Sequence, residues 1–165
     1  MPPETDNLRL DDLYAADQKD RETVYTTTAD VDTLKIRDQE RRRELVSMIG
    51  QGTVNTSNDM YHAAVLFLHG SEPKEFLAAH RLATMSAING HRPSRWLAAA
   101  SLDRFLMSIG LPQTYGTQFE HSEDNNLYQL RLPIDDTTVL HFEKRFFGVP
   151  PVVERLAQLN RRIQK

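Results

Sequence analysis

The chain has 165 residues, of which 39% are hydrophobic and 26% are charged, a size and composition typical of one globular domain. Its 20 basic and 23 acidic residues leave a formal net charge of −3, so no overall field favours nucleic acid or an anionic membrane surface as a partner. There is no cysteine, which excludes disulfides, thiol nucleophiles and thiolate-bound zinc.

The N-terminal segment is acidic and lacks the apolar core of a signal peptide. No stretch approaches the roughly 20 apolar residues that a membrane-spanning helix needs. A cytoplasmic protein is therefore expected, and the sequence leaves its oligomeric state open. The basic run at residues 41–43 lies between Glu40 and Glu44, so we expect it to form a solvated helix face.

Hydrophobic spacing predicts a mainly α fold, an antiparallel helical bundle that occupies residues 1–165 as a single domain. A peripheral helix is predicted at residues 7–24, where Asn7 can cap its start. A second helix is predicted at residues 32–49, and a turn-rich loop at residues 50–58 follows it.

The middle of the chain predicts three core helices. Residues 59–69 are almost all apolar towards their end, which is typical of a buried helix. Residues 73–89 and 93–109 form the next two helices, and Trp96 is expected to anchor the core. The links between the three helices are short, so an up-down-up array is predicted.

The pattern changes after Gly116. Residues 117–120 and 127–132 predict a small β-hairpin across a polar turn. A helix capped by Asp135 or Asp136 should follow and extend to about residue 147. A last helix is predicted from the proline pair at 150 and 151 to residue 163.

Helix rise predicts which polar residues of the core helices lie at the same height. His62 should lie level with His80, and His80 with Asp103, in one layer of an otherwise apolar bundle. A buried aspartate needs a partner, and a histidine opposite it would be held in one tautomer. Alternatively, the histidines are structural residues, and Asp103 and Arg104 belong to a buried salt bridge.

His69 lies on the same helix face as His62, about 10.5 Å further along the axis. This position brings it to the bundle end where the third core helix stops and where Arg104 is expected. The polar side chains that follow are Gln113, Tyr115, Thr117 and Gln118. They predict the wall of a site; alternatively, the segment is a tight turn fixed by its own hydrogen bonds, and Gly116 suits a positive φ.

Other chemistry has weaker support. A metal ion held by His62, His80 and Asp103 is geometrically conceivable, but no single helix carries a His-x-x-x-His or Glu-x-x-His pair. There is also no phosphate-binding glycine loop and no G-x-S-x-G motif. We therefore expect neither a metal nor a cofactor.

A series of short motifs spans most of the chain. They are Asp17, Gln18 and Arg21; His69-Gly70; Ala79-His80; Arg95 to Ala99; Asp103-Arg104; Pro112 to Gln118; and Gly148 to Pro151. In these motifs the chain resembles a bacterial domain-of-unknown-function family with an Asp-Arg … Pro-Gln-x-Tyr-Gly-Thr-Gln signature. The resemblance supports the choice of site residues and implies no reaction.

Two functions fit these residues. The first is a cofactor-independent enzyme acting on a small polar or anionic molecule, in which His69 or His80 is the general acid or base and Asp103 orients it. Its predicted substrate-binding residues are His62, Arg104, Gln113, Tyr115, Thr117 and Gln118. The second is a non-catalytic helical module that binds a ligand or a protein partner. An open cleft favours the enzyme, whereas Arg104 locked to an internal carboxylate favours the module.

Overall fold

The structure is a computed structural model that describes residues 5–23 and 25–163. The predicted mainly α fold is confirmed, because these residues form seven helices and one two-stranded sheet. The elements are α1 (Leu8–Glu22), α2 (Thr28–Gly50), α3 (Ser57–Leu68), α4 (Pro73–Ile88), α5 (Pro93–Ser108), β1 (Phe119–Ser122), β2 (Leu127–Leu130), α6 (His141–Phe146) and α7 (Val152–Ile163). The predicted end of the first helix at residue 24 lies outside the described residues.

The core is built on α3, α4 and α5, as predicted. Every residue of α3 from 63 to 68 is buried, as expected for a helix that is apolar on all sides. α4 packs along both α3 and α5 and buries Phe76, Ala79 and Ala83 on one face. Its alanines let the helix axes approach closely, so the antiparallel array is tightly packed.

Trp96 does not anchor the core. Its exposed fraction is 38%, whereas residues 97–100 of α5 are almost completely buried. The α4–α5 interface is therefore formed by small side chains, and the bulky indole lies at the margin of α5. The prediction was wrong because it relied on the large apolar side chain of Trp96, whereas the space between α4 and α5 is too narrow for an indole.

α2 begins four residues earlier than predicted. The Thr27 hydroxyl accepts a hydrogen bond from the Asp30 amide at 3.2 Å, and the Asp30 carboxylate accepts one from the Thr27 amide at 3.3 Å. This reciprocal capping box starts the helix at Thr28. The threonine run that disfavours a helix interior therefore supplies the cap and first turn.

The basic run at residues 41–43 is not a fully solvated face. Arg41 is only 7% exposed and donates to Asp20 at 2.8 Å and to Asp38 at 2.7 Å. Arg42 donates to Glu75 at 2.8 Å, while Arg43 is exposed. Only the last arginine fits the expectation, because Asp20 and Glu75, which bind the first two, lie 21 and 33 residues away in sequence.

Asp38 of α2 binds one arginine from each of the first two helices. One of its oxygens accepts from Arg41 and the other accepts from Arg21 of α1 at 2.6 Å. Arg21 also reaches Asp17, at 3.3 Å. Charges of alternating sign thus run through this interface, so each buried carboxylate has a cationic partner.

β1 lies two residues later than predicted, and β2 and α6 are shorter than predicted. β1 pairs with β2 in the register Phe119↔Leu130, and Thr117 and Gln118 make contacts outside the sheet. The segment that was predicted to begin a helix at Asp135 instead binds the backbone of Gln113, with the Asp135 amide donating to the Gln113 carbonyl at 2.8 Å. These long-range contacts override the local helical preference.

α7 packs against β2 and closes its outer edge at one residue. The Asn160 side chain accepts a hydrogen bond from the Tyr128 amide at 2.7 Å and donates one to the Tyr128 carbonyl at 3.2 Å. An amide side chain thus takes the place of a neighbouring strand at this residue. In the described part of the chain, no helix is both long and apolar enough to cross a membrane.

Gly116 and Gly110 provide a stability test of the polar segment. Both have left-handed φ values, +78° and +80°, but a Cβ at Gly116 would lie 3.2 Å from Ile134 and Val152, whereas one at Gly110 meets nothing within 4 Å. Each alanine substitution should lower the free energy of unfolding by about 1–2 kcal/mol through its backbone. Gly116→Ala should lose more, as measured by urea denaturation; an equal loss would contradict the close packing.

Candidate functional site

The C-terminal end of α3 is held by two arginines from other helices. Arg104 of α5 donates to the Leu68 carbonyl at 2.9 Å, and Arg42 of α2 donates to the His69 carbonyl at 3.2 Å. The last carbonyls of a helix lack partners within it, and cationic side chains are favoured there. His69, which follows α3 directly, is thereby fixed in position.

Gly70 is required by the close approach of Glu75. The Glu75 carboxylate accepts from the Ser71 and Glu72 amides at 2.8 and 2.9 Å and also binds Arg42. A Cβ on Gly70 would lie only 2.7 Å from the Glu75 carboxyl carbon. Burial raises the pKa of Glu75, but the two amides and the Arg42 charge outweigh it, so the pKa lies below its usual value.

Asp17 and His69 form a carboxylate–imidazole pair. Asp17 Oδ1 lies 2.9 Å from His69 Nδ1, and the Asp17 side chain is only 1% exposed, against 22% for His69. The second Asp17 oxygen accepts from the Gln18 side chain at 2.9 Å. The aspartate is therefore buried behind the imidazole, and the imidazole reaches solvent.

The buried carboxylate selects the tautomer of His69. Arg21 Nε lies 3.3 Å from the same Nδ1 atom, so this nitrogen has both a donor and an acceptor beside it. The contact with Asp17 is shorter, and its acceptor is charged, so Nδ1 carries the proton and donates to the carboxylate. Nε2, which makes no hydrogen bond with residues 5–23 or 25–163, is left with its lone pair.

The surroundings of Asp17 keep it ionised. Burial alone raises the pKa of a carboxyl group, but the hydrogen bond and charge of His69 and the charge of Arg21 more than offset it. The pKa of Asp17 therefore lies below its usual value. The carboxylate can hold the imidazole and stabilise its protonated form.

His69 lines a cavity of about 650 Å³ between α2 and the start of α4, called here the His69 cavity. Its volume suits a small molecule. Both signs of charge line it: Lys35, Arg42 and Lys74 are basic, and Asp38, Glu72 and Glu75 are acidic. A histidine with a fixed tautomer thus borders a polar space that can hold a ligand.

Asp103 does not orient a histidine. Its buried carboxylate accepts from the Thr114, Tyr115 and Thr117 amides at 2.7, 2.8 and 2.9 Å and from the Thr117 hydroxyl at 2.7 Å. These four donors occupy both oxygens. The role predicted for Asp103 beside His69 or His80 is therefore corrected: the residue folds the polar segment, and Asp17 is the partner of His69.

Three further residues predicted to bind substrate are also engaged internally. The buried Gln113 side chain binds the Gln118 amide and the carbonyls of Gln118 and Arg131. The Tyr115 hydroxyl donates to Glu143, and burial followed by this carboxylate raises the pKa of Tyr115. Thr117 binds Asp103. The Gln113–Gln118 bonds lie within the segment, as the alternative of a self-fixed turn expects, whereas Asp103, Arg131 and Glu143 hold it from outside.

Arg104 and Gln118 remain partly accessible. Arg104 Nε lies 3.3 Å from Gln118 Oε1, and the side-chain nitrogen of Gln118, Nε2, donates to the Ala100 carbonyl at 3.0 Å. Arg104 thus connects the end of α3 with the polar segment, at the end of the bundle where the sequence predicts a site. Within residues 5–23 and 25–163, no carboxylate lies within ion-pair distance of Arg104, so it is not locked to an internal acid.

The predicted layer of His62, His80 and Asp103 does not form. His62 Nδ1 contacts Asp11 at 2.9 Å, and its ring stacks on Tyr14 with centroids 3.9 Å apart. His80 Nδ1 donates to the Ala98 carbonyl at 2.9 Å. Counting residues along antiparallel helices gives the height of a side chain along the axis but not its direction around the axis. The three side chains face different partners.

No group of three histidine, aspartate or glutamate side chains in the part of the chain that the structure describes has the arrangement of a metal site. The minor interpretation of a metal held by His62, His80 and Asp103 is consequently not supported by their positions. Each of these side chains has its own partner on another element.

Sequence reasoning underestimated the α1 and α2 residues at the site. Asp17 and Arg21 were singled out only through the family resemblance, although their spacing of four places them on one helix face. Arg42 was assigned to a solvated face. Arg131, which lies beside Arg104, carried no signal in the sequence because hairpin register brings it there.

Comparisons with protein-family models, with curated proteins and with solved structures found no match to this chain. The family resemblance noted in the sequence stays a prediction. The function proposed below is therefore derived from the geometry of the site.

Asp103→Asn should lower the free energy of unfolding by about 2–4 kcal/mol, because an amide cannot accept all four hydrogen bonds of the buried carboxylate. Amide hydrogen exchange at Thr114, Tyr115 and Thr117 should speed up most. Asp124→Asn is the matched control, since Asp124 is exposed. Equal stability of the two variants would contradict the assigned role of Asp103.

Asp17 should contribute stability that depends on pH. Its pKa is lower in the folded than in the unfolded chain, so its stabilisation is present above the usual aspartate pKa of about 4 and is lost as pH falls through the lower, folded value. Asp17→Asn should therefore lose about 1–3 kcal/mol at neutral pH. In urea denaturation at a series of pH values, the difference from wild type should shrink below about pH 4; a difference that grows there would contradict the pairing.

Proposed function

We propose that this protein is an enzyme that acts on a small polar or anionic molecule by acid–base chemistry at His69. The observation that carries the proposal is the 2.9 Å contact between the buried Asp17 carboxylate and His69 Nδ1 at the edge of a 650 Å³ cavity. A carboxylate that fixes the tautomer of an accessible imidazole is a recurrent arrangement for proton transfer in enzymes.

His69 is assigned the role of general base and then general acid. With Nδ1 protonated towards Asp17, the Nε2 lone pair can take a proton from a substrate, and the ionised carboxylate stabilises the imidazolium that results. Hydrolysis, cyclisation and isomerisation each need such a transfer. His80 is less suited, because its Nδ1 binds a backbone carbonyl and no carboxylate of the described residues orients it.

Arg104 and Gln118 keep a ligand-binding role in the proposal, but at a second cavity that His69 does not line. Both border that cavity and are only partly exposed. Tyr115, Thr117 and Gln113 contribute by holding the segment that carries Gln118. We further propose a small-molecule ligand and, because the 20 basic and 23 acidic residues nearly balance, no nucleic-acid partner. A cytoplasmic location is part of the same proposal.

The second candidate is a non-catalytic helical module that binds a ligand or protein partner. It is favoured by the number of polar side chains near residues 113–118 that are fully engaged within the fold, since a binding surface needs rigidity but no tuned proton transfer. It is disfavoured by His69, whose Nε2 makes no hydrogen bond with the described residues, because a structural histidine would be expected to use both ring nitrogens. The two functions differ in whether a bound molecule is converted.

The test compares wild type with His69→Gln on a panel of small polar metabolites, with NMR and mass spectrometry to detect both binding and conversion. Wild type should convert at least one compound, and His69→Gln should bind it without converting it. Asp17→Asn should slow conversion by about 10²–10⁴-fold, because the carboxylate no longer stabilises the imidazolium.

His141→Gln is the matched control, because His141 is exposed at the start of α6. It should convert the compound at the wild-type rate. Conversion that survives His69→Gln would overturn the role of His69. Binding without conversion by the wild type would favour the helical module.

A further inference from the structure

A second cavity, of about 380 Å³, lies between α5 and the β-hairpin and is called here the α5–hairpin pocket. It is separate from the His69 cavity, but Arg104 joins the two regions through the carbonyl of the residue that precedes His69. Besides the hydroxyl of Ser108, its lining combines two arginines, one amide and three apolar side chains: Arg104, Arg131, Gln118, Phe76, Met107 and Phe119.

The charges of this pocket are unbalanced. Arg104 and Arg131 both line it, and none of its lining residues is acidic. In the part of the chain that the structure describes, neither guanidinium forms an ion pair with a carboxylate. By contrast, Arg41 and Arg42 both pair with acids. Two unneutralised arginines in one concave space are typical of a site for an anion.

Arg104 is partly desolvated and still has donors to spare. Its Nε and Nη1 bind Gln118 and the Leu68 carbonyl, and Nη2 makes no hydrogen bond with residues 5–23 or 25–163. Burial, and then the like charges of Arg131 and Arg21, lower the pKa of Arg104. An anion between the two pocket arginines would relieve this repulsion.

The apolar side chains limit the kind of anion that fits. Phe76 is buried beneath the Arg104 guanidinium, whose central carbon lies 5.9 Å from the ring centroid, and Met107 and Phe119 are partly exposed in the same pocket. A hydrated inorganic ion would leave these surfaces unused. A carboxylate attached to an apolar body would match both the charge and the lining.

We propose that the α5–hairpin pocket binds the carboxylate group of a small organic acid, with Arg104 and Arg131 on the carboxylate and Phe76, Met107 and Phe119 against its apolar body. This inference goes beyond the proposed function, because the pocket and the His69 cavity share no lining residue. Binding itself does not need His69.

The test uses phenylacetate as the probe and phenylacetamide as its neutral isostere, with affinities measured by calorimetry and by NMR shifts at residues 104 and 118. Wild type should bind phenylacetate more tightly than phenylacetamide or inorganic phosphate. Arg131→Gln should weaken phenylacetate binding about tenfold. Arg131 is the preferred variant, because its exposed guanidinium makes no hydrogen bond within the described residues, whereas Arg104 also holds α3.

Arg81→Gln is the matched control, since Arg81 is exposed on α4 and does not line the pocket. It should leave the affinity unchanged, and so should His69→Gln, which separates this proposal from the acid–base function. Unchanged affinity in Arg131→Gln, no binding at millimolar phenylacetate, or equal affinity for phenylacetamide would overturn the proposal. Phosphate binding as tight as phenylacetate binding would overturn the assigned class of organic acid.

Discussion

The C-terminal end of α3 is the constraint on which the site depends. The last carbonyl groups of a helix have no partner within it. Here arginines from α2 and α5 donate hydrogen bonds to the carbonyls of Leu68 and His69. The same two contacts draw three helices together around one residue. His69 is thus held by its backbone from two sides, and only its ring remains to be positioned. That ring is positioned by α1, so four helices determine the place of one imidazole.

Folding and proposed chemistry share the same charged residues. Asp17 holds His69 and is itself contacted by Arg21, which also binds Asp38 of α2. The orientation of the imidazole therefore depends on the α1–α2 interface as well as on α3. A buried ion pair contributes little net stability after desolvation, but it strongly favours one arrangement of its partners. In this protein, the favoured arrangement leaves Nε2 of His69 available for proton transfer.

The sequence predicted the helices of the core well, because burial of α3 and the alanine face of α4 are periodic patterns within single segments. It also placed Arg104 at the correct end of the bundle. It failed where partners are distant in the chain: Asp103 binds the following polar segment, and the partner of His69 lies 52 residues before it. Residue spacing gives the height of a side chain along a helix but not the direction that it faces around the axis.

The amide of Asn160 occupies the backbone groups of Tyr128 on the open side of the hairpin. A two-stranded sheet has free edges, and such edges invite pairing with strands of other molecules. One side chain from the last helix therefore occupies backbone groups that a strand of a second molecule would otherwise bind. The final helix thus prevents, at this residue, the backbone pairing by which a strand of another molecule could extend the sheet.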